Sequence, residues 1–357
     1  MVTGRIDGCA CRIRAHSRGG QPRARTAVPG AMREKDSATL GAGRKSPAGP
    51  ETHMTRMLND SEIAPVLTYE RLIPAMERAL AAFSAGEVTQ PVRTMITVEA
   101  GQRFLGVMPA VIPPSMGAKL VCFYPKNAAK ELPTHLASIV LFESDTGRPL
   151  AFLDGRRITE MRTAAVSAAV TRHLAPPGAR VLALLGSGVQ AAAHLEALRH
   201  VCRFDEVRVW SRNEAHAREF AARHGARAME AQAAVRGADV IVTATASQDP
   251  VLRGQWLKPG AHVNAVGACL PSWRELDDEA MTGSTLIVDS REAALRESGD
   301  VILSQAPIFA EAGEVFAGTR RVPPAATTVF KSLGLAVEDV ATAQLVYDAV
   351  TAGVAAR

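Results

Sequence analysis

The sequence predicts an α/β protein: a doubly wound parallel sheet joined to an α+β part whose sheet is mostly antiparallel. Three observations predict it. From Val181 onward, strand-like apolar runs alternate with helical stretches: Val181–Leu185, 189–200, Glu206–Trp210, 214–224, Val240–Thr243, His262–Val266 and Thr285–Val288. Such alternation is the grammar of parallel strands joined by crossovers. Before residue 178, by contrast, the runs Thr94–Val98, Phe104–Met108, Lys119–Tyr124, Ser138–Glu143 and Pro149–Leu153 follow one another without helices, as a meander does. Finally, Gly186-Ser187-Gly188-Val189-Gln190-Ala191 lies between the first run of the second part and its helix.

Taken in order, residues 1–53 are rich in Gly, Pro, Ser, Ala and Arg and show no apolar period. They are expected to be a disordered basic extension, with a transit peptide or a start at Met54 or Met57 as alternatives. Leu72, Ile73, Met76, Leu80 and Phe83 then recur at helical spacing from Tyr69 to a stop at Gly86. Ser144-Asp145-Thr146-Gly147 supplies the turn between the last two meander strands. A helix is expected over Thr159–His173, closed by Pro176-Pro177-Gly178. After Asp300 the pattern reads as helical again. It ends in a run from Val329 to Val350, expected to lie outside the sheet and return to the first domain. The domains are therefore expected at 54–178, completed by helices in 305–357, and at 179–304.

The net charge of +5 does not make this a nucleic-acid protein, because its excess sits at one end. Residues 1–53 hold ten basic and four acidic side chains, which leaves the rest slightly acidic. No apolar run is long enough for a bilayer and no secretory signal stands at the start. The five cysteines, Cys9, Cys11, Cys122, Cys202 and Cys269, are dispersed without metal spacing, as reduced thiols of a cytoplasmic protein would be.

The glycine-rich segment carries the chemistry most directly. In G-x-G-x-x-A after a strand, Gly186 permits a tight turn, Gly188 lets backbone N–H groups approach a pyrophosphate, and Ala191 allows helix and strand to pack closely. A Rossmann-type dinucleotide site follows, with Val189 and Gln190 in the same turn. The second strand ends Trp210-Ser211-Arg212-Asn213, with no carboxylate for a ribose 2′-hydroxyl and with a guanidinium suited to a 2′-phosphate. NADP(H) is the expected cofactor; Arg212 as a solvated charge at a helix entry is the alternative.

In the first part, Arg93, Lys119 and Arg162 stand in apolar or turn-forming settings. Buried together without partners they would imply an anionic ligand such as a carboxylate; taken singly, each is an ordinary surface or salt-bridged cation. His135, beside Pro133, reads by itself as a structural hydrogen-bonder, and Trp210, Trp256 and Trp273 as packing residues.

Several segments in one order resemble the ornithine cyclodeaminase and mu-crystallin family over about residues 55–350. They are Gln90–Thr94, Leu105–Pro109, Arg162–Ala168, Gly186–Ala191, Trp256–Gly267, Trp273–Asp278, Glu292–Asp300 and Thr328–Gly334. The resemblance implies that Arg93, Lys119 and Arg162 hold a substrate carboxylate, with Arg274 and Glu297 on the substrate side. It extends the cofactor site to Thr134, His135, Arg162, Thr163, Thr243, Thr245, Val266, Lys331 and Ser332. Ornithine cyclodeaminases carry an acid–base aspartate shortly after the Val266-Gly267 pair; here Cys269 stands in its place. This departure argues against deamination with ring closure and leaves hydride transfer to a cyclic ketimine carboxylate. The resemblance further implies a homodimer formed by the first domains, and thyroid-hormone binding or alanine dehydrogenation as other activities of the same pocket.

Overall fold

Two sheets organise the computed structural model of the chain, which describes residues 54–100 and 102–355; the readings made of 1–53 lie outside the described residues. The first sheet contains β1 (Arg56–Leu58), β2 (Thr94–Glu99), β3 (Arg103–Ile112), β4 (Ser115–Phe123), β5 (His135–Glu143) and β6 (Pro149–Asp154), in the order β1-β6-β5-β4-β3-β2. All its pairings are antiparallel except β1 with β6. Two helices, α1 (Asp60–Ile63) and α2 (Tyr69–Ser84), lie between β1 and β2, and Gly86 ends the second with a φ of 78°. Leu72, Ile73, Met76 and Leu80 of α2 are buried, each worth about 1.5–3 kcal/mol.

The sheet's two faces differ. One buries Met108, Ala110, Ile139, Leu141 and Leu153. The register Ile96–Leu105–Cys122–Leu136 defines the other, where Ile96, Leu120, Leu136 and Phe152 remain 43–47% exposed. Such a contiguous apolar face is not the solvent side of an ordinary antiparallel sheet, which alternates to polar.

Helix α3 (Gly155–Leu174) leaves the sheet through Asp154, whose carboxylate accepts from Arg156 N at 2.8 Å. A Cβ at Gly155 would stand 2.8 Å from that of Ala137, so only glycine lets the helix start this close to β5. Next come β7 (Val181–Leu185), α4 (Val189–Arg199), β8 (Glu206–Trp210), α5 (Glu214–His224), β9 (Arg227–Ala228), α6 (Ala231–Val235), β10 (Val240–Thr243) and β11 (His262–Ala265). His194 of α4 reaches Ser167 of α3 at 2.9 Å; its burial lowers the imidazole pKa to about 4, so a neutral ring joins the helices.

The chain continues through α7 (Asp278–Thr282), β12 (Thr285–Val288), α8 (Arg291–Glu297), α9 (Gly299–Ser304), β13 (Ile308–Glu311), α10 (Ala312–Phe316), β14 (Thr328–Lys331) and α11 (Ala336–Ala355). The second sheet is parallel throughout, in the order β13-β12-β14-β11-β10-β7-β8-β9. This is the doubly wound sheet expected, with one correction. The run from Val329 is not wholly helical: Thr328–Lys331 inserts between β11 and β12, and Ile308–Glu311 forms an edge strand. Lys331 can lie in a fully buried strand because Asp300 Oδ2 is 3.0 Å from its ammonium. Only α11 belongs to the returning run; it packs on α2, β3 and β4. Among the described residues no helix is long and apolar enough to cross a membrane.

Candidate functional site

The carboxyl ends of the parallel strands lie on one edge, and the glycine-rich turn follows one of them. Gly186 has a φ of 125°, donates its N–H to Trp210 O at 2.8 Å, and would place a Cβ 2.5 Å from Ala244 O. No other residue fits there without moving backbone. Gly188 caps α4 without a side chain, and nothing lies within 4 Å of where its Cβ would be. No side-chain cap hydrogen bond is spent on the amides that begin α4, and Val189 is 55% exposed beside them, while Ala191 is buried. This is room and polarity for a pyrophosphate.

The neighbouring strand ends fill out the edge. After β8, Ser211 is half-buried and Arg212 exposed. The Asn213 side-chain oxygen is spent capping α5, accepting from Ala215 N at 3.0 Å, and its amide nitrogen lies 3.4 Å from His216 Nε2. After β11, Val266 is buried at the mouth of the edge.

Most of the other expected cofactor residues are engaged elsewhere, each for a visible reason. Thr243 donates to Glu275 Oε2 at 2.8 Å, and Thr245 contributes its hydroxyl (2.7 Å) and N–H (2.6 Å) to Glu275 Oε1. Gly267 N completes this cradle at 2.7 Å. Glu275 is wholly buried, and it ties the ends of β10 and β11 to the segment that ends in Asp300 through N–H bonds from Glu275 and Leu276. Lys331 and Ser332 are buried at 0% and 1%; Lys331 is paired with Asp300 at 3.0 Å, and the Ser332 hydroxyl has no hydrogen-bond partner among the described residues. Thr163 spends its hydroxyl on Thr159 O within α3. Thr134 lies next to His135, whose Nδ1 is 3.2 Å from its hydroxyl and whose ring lies 4.5 Å from that of Phe123, tilted by 30°. Desolvation, then the Lys119 charge, lowers the His135 pKa to about 4, so the ring is neutral at physiological pH.

Beside this edge stands a charged cluster. Asp339, at the start of α11, places Oδ2 2.7 Å from Lys119 Nζ and Oδ1 3.1 Å from Arg162 Nε. Glu338 Oε2 lies 2.6 Å from Arg162 Nη1. Arg93 pairs with Glu297 at 2.9 Å and donates to Leu333 O at 3.1 Å. Gly334, with a φ of 82°, would bring a Cβ within 2.5 Å of Arg162 Nη1, so a glycine is required where the backbone passes the guanidinium. The N–H groups of Leu333 and Gly334 are held by Asp289 Oδ2 at 2.5 and 2.7 Å. Burial, then the Arg162 charge, lowers Lys119 to about 8; burial raises Glu338 to about 7.

The structure thus brings Arg93, Lys119 and Arg162 to one place, but it corrects the premise that they lack partners: each has a carboxylate of this chain. Glu297 is accordingly Arg93's counter-ion. Arg274 is tied to Asp278 at 2.6 Å, and Cys269 turns its thiol to Val266 O at 3.5 Å. A cleft bordered by Gln90, Arg93, Met108, Ser290, Glu297 and Gly334 opens on the cluster from the Arg93 side. Glu338, Asp339, Asp289 and Glu275 were not foreseen. Acids at the start of a helix or the end of a strand read as ordinary terminal charges, and their partners lie far away in sequence.

The Ornithine cyclodeaminase/mu-crystallin family model matches residues 53–354. Ketimine reductase mu-crystallin of Rattus norvegicus is 52% identical over 290 residues, covering 79% of this chain and 93% of its own. Among solved structures, Thermococcus litoralis Delta(1)-pyrroline-2-carboxylate reductase, in complex with NADH and L-proline, superposes with a TM-score of 0.80 at 34% identity, covering 84% of this chain and 98% of that one. An archaeal alanine dehydrogenase dimer with bound NAD gives a TM-score of 0.79 at 32% identity, covering 84% and 97%.

Proposed function

We infer that this chain, which belongs to the ornithine cyclodeaminase/mu-crystallin family, is a nicotinamide-dependent oxidoreductase acting on C=N bonds, and that it reduces cyclic ketimine carboxylates with NADPH. One observation carries the reading. The open glycine turn after β7 and the cation cluster around Leu333-Gly334, just after β14, lie on the same carboxyl edge of one parallel sheet. Ligands of doubly wound sheets bind at that edge, so a dinucleotide laid across it ends beside a place for an anion.

The residues present fit the cofactor: Gly186 and Gly188 leave room, and the α4 amides, capped by no side chain among the described residues, can hold the pyrophosphate. The bound nicotinamide supplies the hydride. Arg93, Lys119 and Arg162 orient the substrate carboxylate so that its C=N carbon faces the sheet edge, in the near-attack geometry that makes transfer effectively unimolecular. Lys119, with a pKa of about 8, is a suitable proton donor to the ring nitrogen at neutral pH. The overall change is imine plus NADPH plus H⁺ to cyclic amine plus NADP⁺. Six-membered rings of the piperideine-2-carboxylate and thiomorpholine type are the proposed substrates, from the likeness to ketimine reductase mu-crystallin.

The exposed Arg212 supports NADPH over NADH, since no carboxylate stands in Trp210–Asn213 to take a ribose hydroxyl. The apolar face bearing Ile96, Leu120, Leu136 and Phe152 supports a homodimer joined through the first sheet, by analogy with the dimeric archaeal relative. Spectrophotometric NADPH oxidation with piperideine-2-carboxylate tests the activity. Turnover confirms it; NADPH-dependent binding of thyroid hormone without turnover would favour a carrier. Ammonia release from ornithine would mean that Cys269 does not block cyclodeamination.

A further inference from the structure

Each cation of the cluster already has a counter-charge before any substrate enters. Lys119 and Arg162 are matched by Asp339 and Glu338, all four are at most 4% exposed, and Arg93 is matched by Glu297. An added carboxylate would therefore be an uncompensated negative charge in a place largely sealed from water, which strongly disfavours binding unless something neutralises it. We propose that Glu338 is that something: it takes up one proton from solvent when a carboxylate substrate enters the cluster, so that binding is proton-linked. This rests on the carboxylate-binding reading above.

Geometry selects Glu338 over the other acids. Asp339 uses both oxygens, one on each cation. Asp289 uses both on backbone donors, Oδ1 on Ser290 N and Oδ2 on Leu333 and Gly334 N, and a proton would have to displace one of them. Glu338 uses Oε2 alone. Its Oε1 is buried without a hydrogen-bond partner among the described residues, so a proton can be added there without breaking a bond; Glu297 also pairs through Oε1 alone, but its side chain is 14% exposed and keeps contact with water. The groups around it are Arg162 from α3, Lys119 from β4, Asp289 after β12 and Asp339 on its own helix, with the Arg93–Glu297 pair beyond Asp289 and the neutral His135 of β5 beyond Lys119. The buried side chains that β3 and α2 contribute to the core are Met108 and Ala110, and Tyr69 with its aliphatic neighbours, none of which is charged. Burial has already raised Glu338 to about 7, so one further negative charge tips it to the acid form near neutrality.

The test is calorimetric titration of the full-length protein, saturated with NADPH, with pyrrole-2-carboxylate, a planar ring carboxylate with no imine to reduce. It is run in two buffers of different ionisation enthalpy. At about pH 7.5 more than half a proton is taken up per ligand and at about pH 6 almost none, because the acid is then already protonated. Glu338→Gln, a permanent mimic of the protonated acid, still binds but loses most of the uptake. Uptake in this variant equal to that of the unaltered protein would assign the proton to Lys119 and overturn the inference. Should the variant not fold, the unaltered protein decides: affinity falling about tenfold per pH unit from about pH 7 supports Glu338, and a fall beginning only above about 8 contradicts it. Binding without any proton uptake overturns this inference alone, whereas no binding overturns the carboxylate site with it.

Discussion

The turn after β7 and the cluster around Asp339 share one edge of the parallel sheet and solve opposite problems. The turn is uncharged and open: it offers amides that no side chain among the described residues caps, beside a glycine that nothing larger can replace. The cluster is charged and closed, and it satisfies itself with the chain's own carboxylates. A site of the first kind binds by leaving groups unpaired in water, where they cost little; one of the second must keep its charges paired until the ligand arrives. Damage to the two should therefore look different, through lost room at the turn and lost charge balance in the cluster.

The largest effect is expected from Asp339→Ala, which leaves Lys119 and Arg162 buried with one carboxylate between them. A loss of about 3–5 kcal/mol in urea unfolding is expected, with activity abolished; a change under about 1 kcal/mol would show that water reaches the cluster. Gly186→Ala pushes a methyl against Ala244 O and should weaken NADPH binding at least tenfold in a fluorescence titration. Unchanged affinity would mean the turn is not the cofactor's seat.

Away from both sites, Leu136→Glu on the outer face of the first sheet should give a monomer in sedimentation with little change in melting temperature, since Leu136 is already 47% exposed. A stable dimer would place the interface elsewhere. Arg212→Ala should cost about tenfold in NADPH use while sparing NADH, as a lost charge-assisted contact does; equal losses would deny Arg212 the phosphate.

A further effect is on the pH dependence of stability. Glu338 is held above its unfolded value of 4.5, so between about pH 4.5 and 7 the folded protein binds the extra proton and this group's stabilisation falls as pH rises. Lys119 is held below 10.5, so between about pH 8 and 10.5 the unfolded chain binds the extra proton and stability rises with pH. Lys119→Met should remove the upper limb from chemical denaturation curves and leave the lower one.

The same contrast explains what could be read from the sequence. Val181–Leu185 and Val240–Thr243 are short apolar runs set in a strand–helix alternation, and Gly186–Ala191 is contiguous, so strand, turn and chemistry arrive together. Thr328–Lys331 hides because its lysine depends on Asp300, and because a helical run follows within a few residues. β1 and β9, at three and two residues, are too short to show a period. In the cluster, Arg93, Lys119 and Arg162 could be named from resemblance, but their partners could not. Asp339 meets Arg162 across 177 positions, and no local pattern encodes such a pairing.

The measurement that bears most directly on the whole account is NADPH consumption by the purified protein with piperideine-2-carboxylate, with NADH run beside it. Rapid turnover that prefers NADPH and disappears in Lys119→Met is the predicted result. Bound NADPH with no turnover on any cyclic ketimine carboxylate would contradict it.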